Sequence, residues 1–134
     1  MSEEVLPALH PLQLIVRADG SMVPVDRLAV DDEFQSPEGK TKVVSIQREL
    51  CKEWVEAFFS NRKSLIVTAT HRFVTVNGRA ITAGELTLGT KLKGILDEAV
   101  VDGLVRIRMQ GQGVFLETGP NALYYTQGVL SCGS

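Results

Sequence analysis

A chain of 134 residues is long enough to bury a real hydrophobic core within one domain. Its 14 Lys and Arg nearly balance 16 Asp and Glu, and the basic residues are scattered, so the charge points neither to nucleic acid nor to an anionic membrane. No apolar run approaches the roughly 20 residues that span a bilayer, and the start, MSEEVLPALHPLQL, is acidic where an export signal would be basic.

Helical periodicity is scarce, and short β-branched runs broken by turn residues dominate. Leu12-Gln13-Leu14-Ile15-Val16 predicts a strand, closed by the Asp19-Gly20 turn signal. Met22 to Val25 is a second short strand, whose Pro24 suits an edge or a strand end. Asp26 to Phe34 forms a turn or a single helical turn that leads into another strand. After the Ser36-Pro37-Glu38-Gly39 loop comes Lys42 to Ile46. Cys51 to Phe59, with Trp54, Val55, Ala57 and Phe59, predicts a further strand, a short helix being the alternative. Ser60 to Lys63 turns the chain into Ser64-Leu65-Ile66-Val67-Thr68. After His71 the order of strand, Asn77-Gly78 turn, short strand, turn and strand recurs. The tail adds Gly103 to Met109, Gly113 to Glu117, and Leu123 to Leu130. Many short strands at this spacing predict an all-β domain.

An internal repeat constrains the fold further. Gly20 to Phe34 lies over Gly78 to Leu92 without a gap, so that Val23 meets Ile81, Leu28 meets Leu86, and Phe34 meets Leu92. Upstream, Ile15-Val16 meets Phe73-Val74, and Asp19-Gly20 meets Asn77-Gly78. Two matched hairpin units predict a pseudo-twofold β domain. On this offset His71 falls where the first copy has Gln13.

Three segments carry a resemblance: Ala18-Asp19-Gly20 through Leu28 to Asp32, then Thr68-Ala69-Thr70-His71, and finally Gly128-Val129-Leu130-Ser131-Cys132. In this order the chain from about Ala8 resembles the Hint domains shared by inteins, bacterial intein-like domains and the processing part of hedgehog proteins. The resemblance implies a horseshoe of short strands and hairpins, residues 8–134 as one Hint-like domain, and residues 1–7 as an N-terminal flank. It also implies self-processing. A cysteine or serine at the first residue of the domain attacks the preceding carbonyl, turning an amide into a thioester or ester that water or another small nucleophile then consumes. An amide is planar, resonance-stabilised and a poor leaving group, so its nitrogen must be hydrogen-bonded or protonated as it departs. A histidine suits that proton transfer and a threonine hydroxyl can assist it, which gives Thr68 and His71 these roles, with Thr70 a lesser candidate. The implied partner is the chain's own flank. No cofactor or metal is implied, nor nucleic acid or membrane.

The sequence departs from the family at both ends. The nucleophile position falls on Ala8, which has no nucleophile, so the acyl shift at the Pro7–Ala8 junction is not expected from this chain. Natural loss of activity and replacement of a cysteine or serine by alanine both account for it, and the persistence of the surrounding motif favours replacement. Inteins close with His-Asn, but Ser131-Cys132-Gly133-Ser134 stands here, nearer to the hedgehog ending, with Cys132 as a candidate active-site thiol. The Ile46-Gln47-Arg48-Glu49 stretch offers no aspartate of the kind that activates sterol in hedgehog domains. Cys51 reads as structural, or as one half of a single bridge, and His10 as a loop histidine near the site. Two further readings stay open: a Hint-shaped interaction module without catalysis, and a zinc domain using His10, Cys51, His71 and Cys132. Zinc sites ordinarily pair ligands closely in sequence, and these four lie far apart.

Overall fold

The computed structural model describes residues 8–37, 39–94, 98–119, 123–126 and 129–132, with Cys132 described by its backbone alone. The expected flank, Met1 to Pro7, lies outside the described residues. Eleven strands are present among those residues: β1 (Leu14–Val16), β2 (Met22–Pro24), β3 (Glu33–Ser36), β4 (Gly39–Phe59), β5 (Ser64–Val67), β6 (Arg72–Val74), β7 (Ala80–Thr82), β8 (Lys91–Leu92), β9 (Ala99–Gly119), β10 (Leu123–Thr126) and β11 (Val129–Cys132). Single 3-10 turns at Val25–Arg27 and Ala83–Glu85 are the helical content of these residues. One sheet runs β2-β1-β10-β11-β6-β7; the other runs β3-β4-β9-β8, with β5 also on β4.

The predicted strands at Lys42–Ile46 and Cys51–Phe59 are one strand, and so are those at Gly103–Met109 and Gly113–Glu117. Glycines and charged residues interrupt the apolar pattern there, yet the backbone ladder continues, pairing Glu49 with Gly113, Leu50 with Gln112 and Cys51 with Gly111. The helical alternative for Cys51 to Phe59 is thereby overturned. Register shifts at Val43/Ser45, Cys51/Glu53 and Phe58/Phe59 bend this ribbon, as extra residues in one strand do. Trp54 and Val55 are consecutive and both buried. Successive strand residues point to opposite faces, so the ribbon is covered on both sides here. Val55 faces the main core with Phe34, Phe59, Phe73 and Tyr124, while Trp54 faces a small cluster with Ala8 and Cys51.

The pseudo-twofold repeat is written in the hydrogen bonds. Val25 N–H donates to the Gln13 carbonyl at 2.8 Å, and Ala83 N–H donates to the His71 carbonyl at 2.8 Å. Asp26 to Pro11 is matched by Gly84 to Ala69, and Val43 to Asp32 by Val101 to Thr90. Both Asx-Gly turns use glycine at positive φ, 88° at Gly20 and 84° at Gly78, with the glycine N–H bonded three residues back to Arg17 and Thr75 respectively. Only the glycine needs the left-handed region, so these are three-residue loops of the bulge type.

Candidate functional site

The segment around Leu9 lies at the centre of the repeat. Leu9 bridges Val67 on one side and Val114 on the other, both antiparallel. His10 N–H donates to the Ile66 carbonyl at 3.0 Å, and Thr68 N–H donates to the Ala8 carbonyl at 2.9 Å. These two bonds exchange under the same offset that carries Gly20 onto Gly78. Ala8 therefore stands directly opposite Thr68.

At that pair the ladder changes partner. The Thr68 carbonyl is turned to accept His71 N–H at 3.0 Å, which closes the Thr68-Ala69-Thr70-His71 turn. A regular ladder would have given that carbonyl to Ala8 N–H. Instead Ala8 N–H donates to the Thr68 side chain, with N to Oγ1 at 2.8 Å. Thr68 Oγ1 also lies 3.1 Å from Thr70 Oγ1 and 3.5 Å from the Ala8 carbonyl oxygen. Ala8, Thr68 and His71 are each only 1 % exposed, so the nitrogen that joins Ala8 to the residue before it is held by a hydroxyl out of solvent.

The other copy shows what the neighbouring side chain can reach. Ile66, the counterpart of Ala8, donates its N–H to Gln13 Oε1 at 3.0 Å. Gln13 is the counterpart of His71. A side chain at this position of the turn thus spans to the facing amide nitrogen in one copy. In the other copy Thr68 takes the amide, and the His71 ring turns Nε2 to Ser131 Oγ at 3.0 Å. Ser131 Oγ in turn lies 2.7 Å from Thr126 Oγ1. The ring packs edge-on against Phe73 with centroids 4.9 Å apart. Burial holds its pKa down at about 3, so the imidazole is neutral at pH 7.

Ala8 points its methyl group into the small cluster with Cys51 and Trp54. A Cβ added to Gly113 would stand 2.7 Å from Cys51 Sγ and 2.8 Å from Ala8 Cβ, so the thiol and the methyl group both crowd the glycine. Cys51 is a free buried thiol, its pKa raised by burial and then by the charge of Glu49. Nothing in its position along the sequence marks Cys51 as a neighbour of Ala8. Trp54 walls the same cluster, its Nε1–H donating to the Met109 carbonyl at 2.9 Å, and His10 meets it edge-on with centroids 5.7 Å apart. The backbone of Cys132 pairs with Arg72 and Leu123; its side chain lies outside what the structure describes. Among the described residues, no three His, Cys, Asp or Glu side chains converge as a metal-ligand set.

The sequence motif names Thr68, His71 and position 8 as candidates; Gln13, Cys51, Gly113 and Thr126 are added by the structure as neighbours in the site. Of these, only Gln13 had a signal, its alignment with His71 in the repeat. Ser131 was visible only as part of the closing segment.

The fold is of the Hint type, shared with solved structures of inteins and of a bacterial intein-like domain, and the likeness extends over nearly the whole chain. A bacterial intein-like domain from Clostridium thermocellum superposes with a TM-score of 0.85 at 15% identity, covering 98% of this chain and 100% of that one. The gp41-1 intein gives 0.84 at 19% identity, covering 96% and 99%. A DnaB intein from Synechocystis gives 0.82 at 19% identity, again over 96% and 99%. No family profile matches the sequence, and no curated protein matches it.

Proposed function

We propose that this domain is a self-processing module whose site acts on the peptide bond preceding Ala8, and that the chain as it stands holds that bond uncut. The observation that carries the reading is the Ala8 amide nitrogen, buried and bonded to Thr68 Oγ1 at 2.8 Å within an intein-like fold. Secondary structure does not require a side-chain acceptor there; the turn at His71 creates the need for one. Its effect is to fix the Ala8 nitrogen on the side chain of Thr68, whose carbonyl accepts the His71 N–H.

With a cysteine at position 8, the sulfur would attack the preceding carbonyl carbon, the C–N bond would break, and a thioester would form. The thiol proton would end on the freed nitrogen as an amine. His71 is the group assigned to carry it: burial holds its pKa at about 3, which makes the ring a weak base toward the thiol and, once protonated, a strong acid toward the departing nitrogen. Water would then hydrolyse the thioester, releasing the flank as a carboxylic acid and restoring the thiol. The acceptor after the shift, the part played by Cys132 and the extent of the flank belong to this proposal as well.

The test is Ala8→Cys, followed by intact-mass spectrometry of the N-terminal flank with and without added thiol. Loss of the flank is expected, and His71→Gln in that background should slow it by roughly 10²–10⁴-fold. A folded Ala8→Cys protein that keeps its flank in both conditions would overturn the reading. That outcome would favour the interaction module without catalysis, the reading that the methyl group of Ala8 itself supports.

A further inference from the structure

We propose that Thr126 and Ser131 are positioning residues that fix the His71 ring as its Nε2–H tautomer and so leave the lone pair on Nδ1. A buried chain of hydrogen-bonding groups runs from the ring. His71 Nε2 lies 3.0 Å from Ser131 Oγ, Ser131 Oγ lies 2.7 Å from Thr126 Oγ1, and Thr126 Oγ1 donates to the Val129 carbonyl oxygen at 3.4 Å. Both hydroxyl residues are fully buried, so no solvent competes for them.

Each hydroxyl has one proton to give. The Val129 carbonyl can only accept, so the one arrangement that makes all three contacts directs the Thr126 proton to it, across 3.4 Å. Thr126 Oγ1 must then accept from Ser131, which commits the Ser131 proton. Ser131 Oγ is left to accept, and the group facing it must be an N–H. The chain therefore runs His71 Nε2–H to Ser131 to Thr126 to Val129, from donor ring to terminal carbonyl. The opposite direction would have Ser131 donate to Nε2 and Thr126 donate to Ser131, leaving the contact to Val129 unmade.

The hairpin geometry supplies these partners in one stroke. Thr126 and Val129 face each other across β10 and β11, and Tyr124 faces Ser131 two residues further along. Ser131 is also the register partner of Phe73 on β6, which carries its hydroxyl to the strand that follows His71. The ring is thus oriented by a strand from the far end of the chain.

The consequence for chemistry rests on the self-processing reading; the tautomer itself does not. A bare Nδ1 can take the proton of a nucleophile at position 8 and deliver it to the departing nitrogen, while Nε2–H stays bonded to Ser131. A ring protonated on Nδ1 instead has no lone pair on that side and could not take the proton.

The experiment is 15N-correlated NMR of the His71 imidazole in the Ala8 protein near pH 7. A pyrrole-type shift at Nε2 and a pyridine-type shift at Nδ1 are expected. Thr126→Val keeps the shape but removes the acceptor, which frees Ser131 to donate to Nε2 and should exchange the two shifts; Thr126→Ser should restore them. The reverse pattern in the parent protein, or no change in Thr126→Val, would overturn the proposal. In the Ala8→Cys background, Thr126→Val should slow flank release by roughly 10²-fold and Thr126→Ser should recover it. Release at the parent rate would overturn the positioning role. If Ala8→Cys releases nothing while the shifts are as expected, the self-processing reading falls and the tautomer assignment stands.

Discussion

At the scale of single residues, Thr68 does two jobs that pull in different directions. Its carbonyl closes the turn that presents His71, and its hydroxyl replaces that carbonyl in the ladder to Ala8. Thr68→Val keeps volume and β-branching but removes the hydroxyl, leaving the Ala8 N–H buried without a partner. A destabilisation of about 1–3 kcal/mol is expected from the shift of the urea midpoint, and Thr68→Ser should recover most of it. An unchanged midpoint in Thr68→Val would mean that the bond contributes nothing to folding. Thr68 and His71 were legible in the sequence because the motif is local, a turn four residues long. Ser131 and Thr126 were not, because a buried serine and threonine carry no periodicity that distinguishes a hydrogen-bonding role from a strand position.

At the scale of elements, the long ribbon of β4 and β9 brings Cys51 and Gly113 to the wall of the site, and the segment at Leu9 is held between β5 and β9. Gly113→Ala would drive its methyl into Cys51 Sγ and Ala8 Cβ, both on short side chains that cannot swing away. Thermal or urea unfolding should show a loss of about 1–3 kcal/mol. Cys51→Ala in the same chain should relieve part of the loss, since the Ala8 methyl group remains. A Gly113→Ala protein as stable as the parent would show that the ribbon yields there. The sequence divided each ribbon strand in two because its middle is polar, including Arg48 and Glu49 in one and Gln110 to Gln112 in the other. Pairing between the two strands keeps them extended where their own side chains give no signal.

At the scale of the whole molecule, burying a neutral histidine ties stability to pH. The His71 pKa falls from 6.5 to about 3 on folding because burial disfavours its charged form. Between those values the unfolded chain binds a proton that the folded chain refuses, so this contribution is complete above about pH 6.5 and is lost as pH falls toward 3. The slope is about 1.4 kcal/mol per pH unit within the window. Urea midpoints measured from pH 7 to pH 4 should fall more steeply for the parent than for His71→Gln, which installs the residue that the first copy carries at Gln13. Parallel curves for the two proteins would show that His71 takes up its proton without unfolding the domain.

The sequence by itself determined the all-β class, the two-copy plan and the Thr68–His71 turn. Alternation of apolar residues, Asx-Gly turns and a constant offset are properties of neighbouring positions, and the matched bonds at Gln13 and His71 follow from them. Only the tertiary structure decided what that turn faces. It set Ala8 against Thr68, Cys51 and Gly113 against Ala8, and Ser131 and Thr126 against the His71 ring. These contacts join segments far apart in the chain through strand pairing and bulges, and their geometry is fixed when the sheets close.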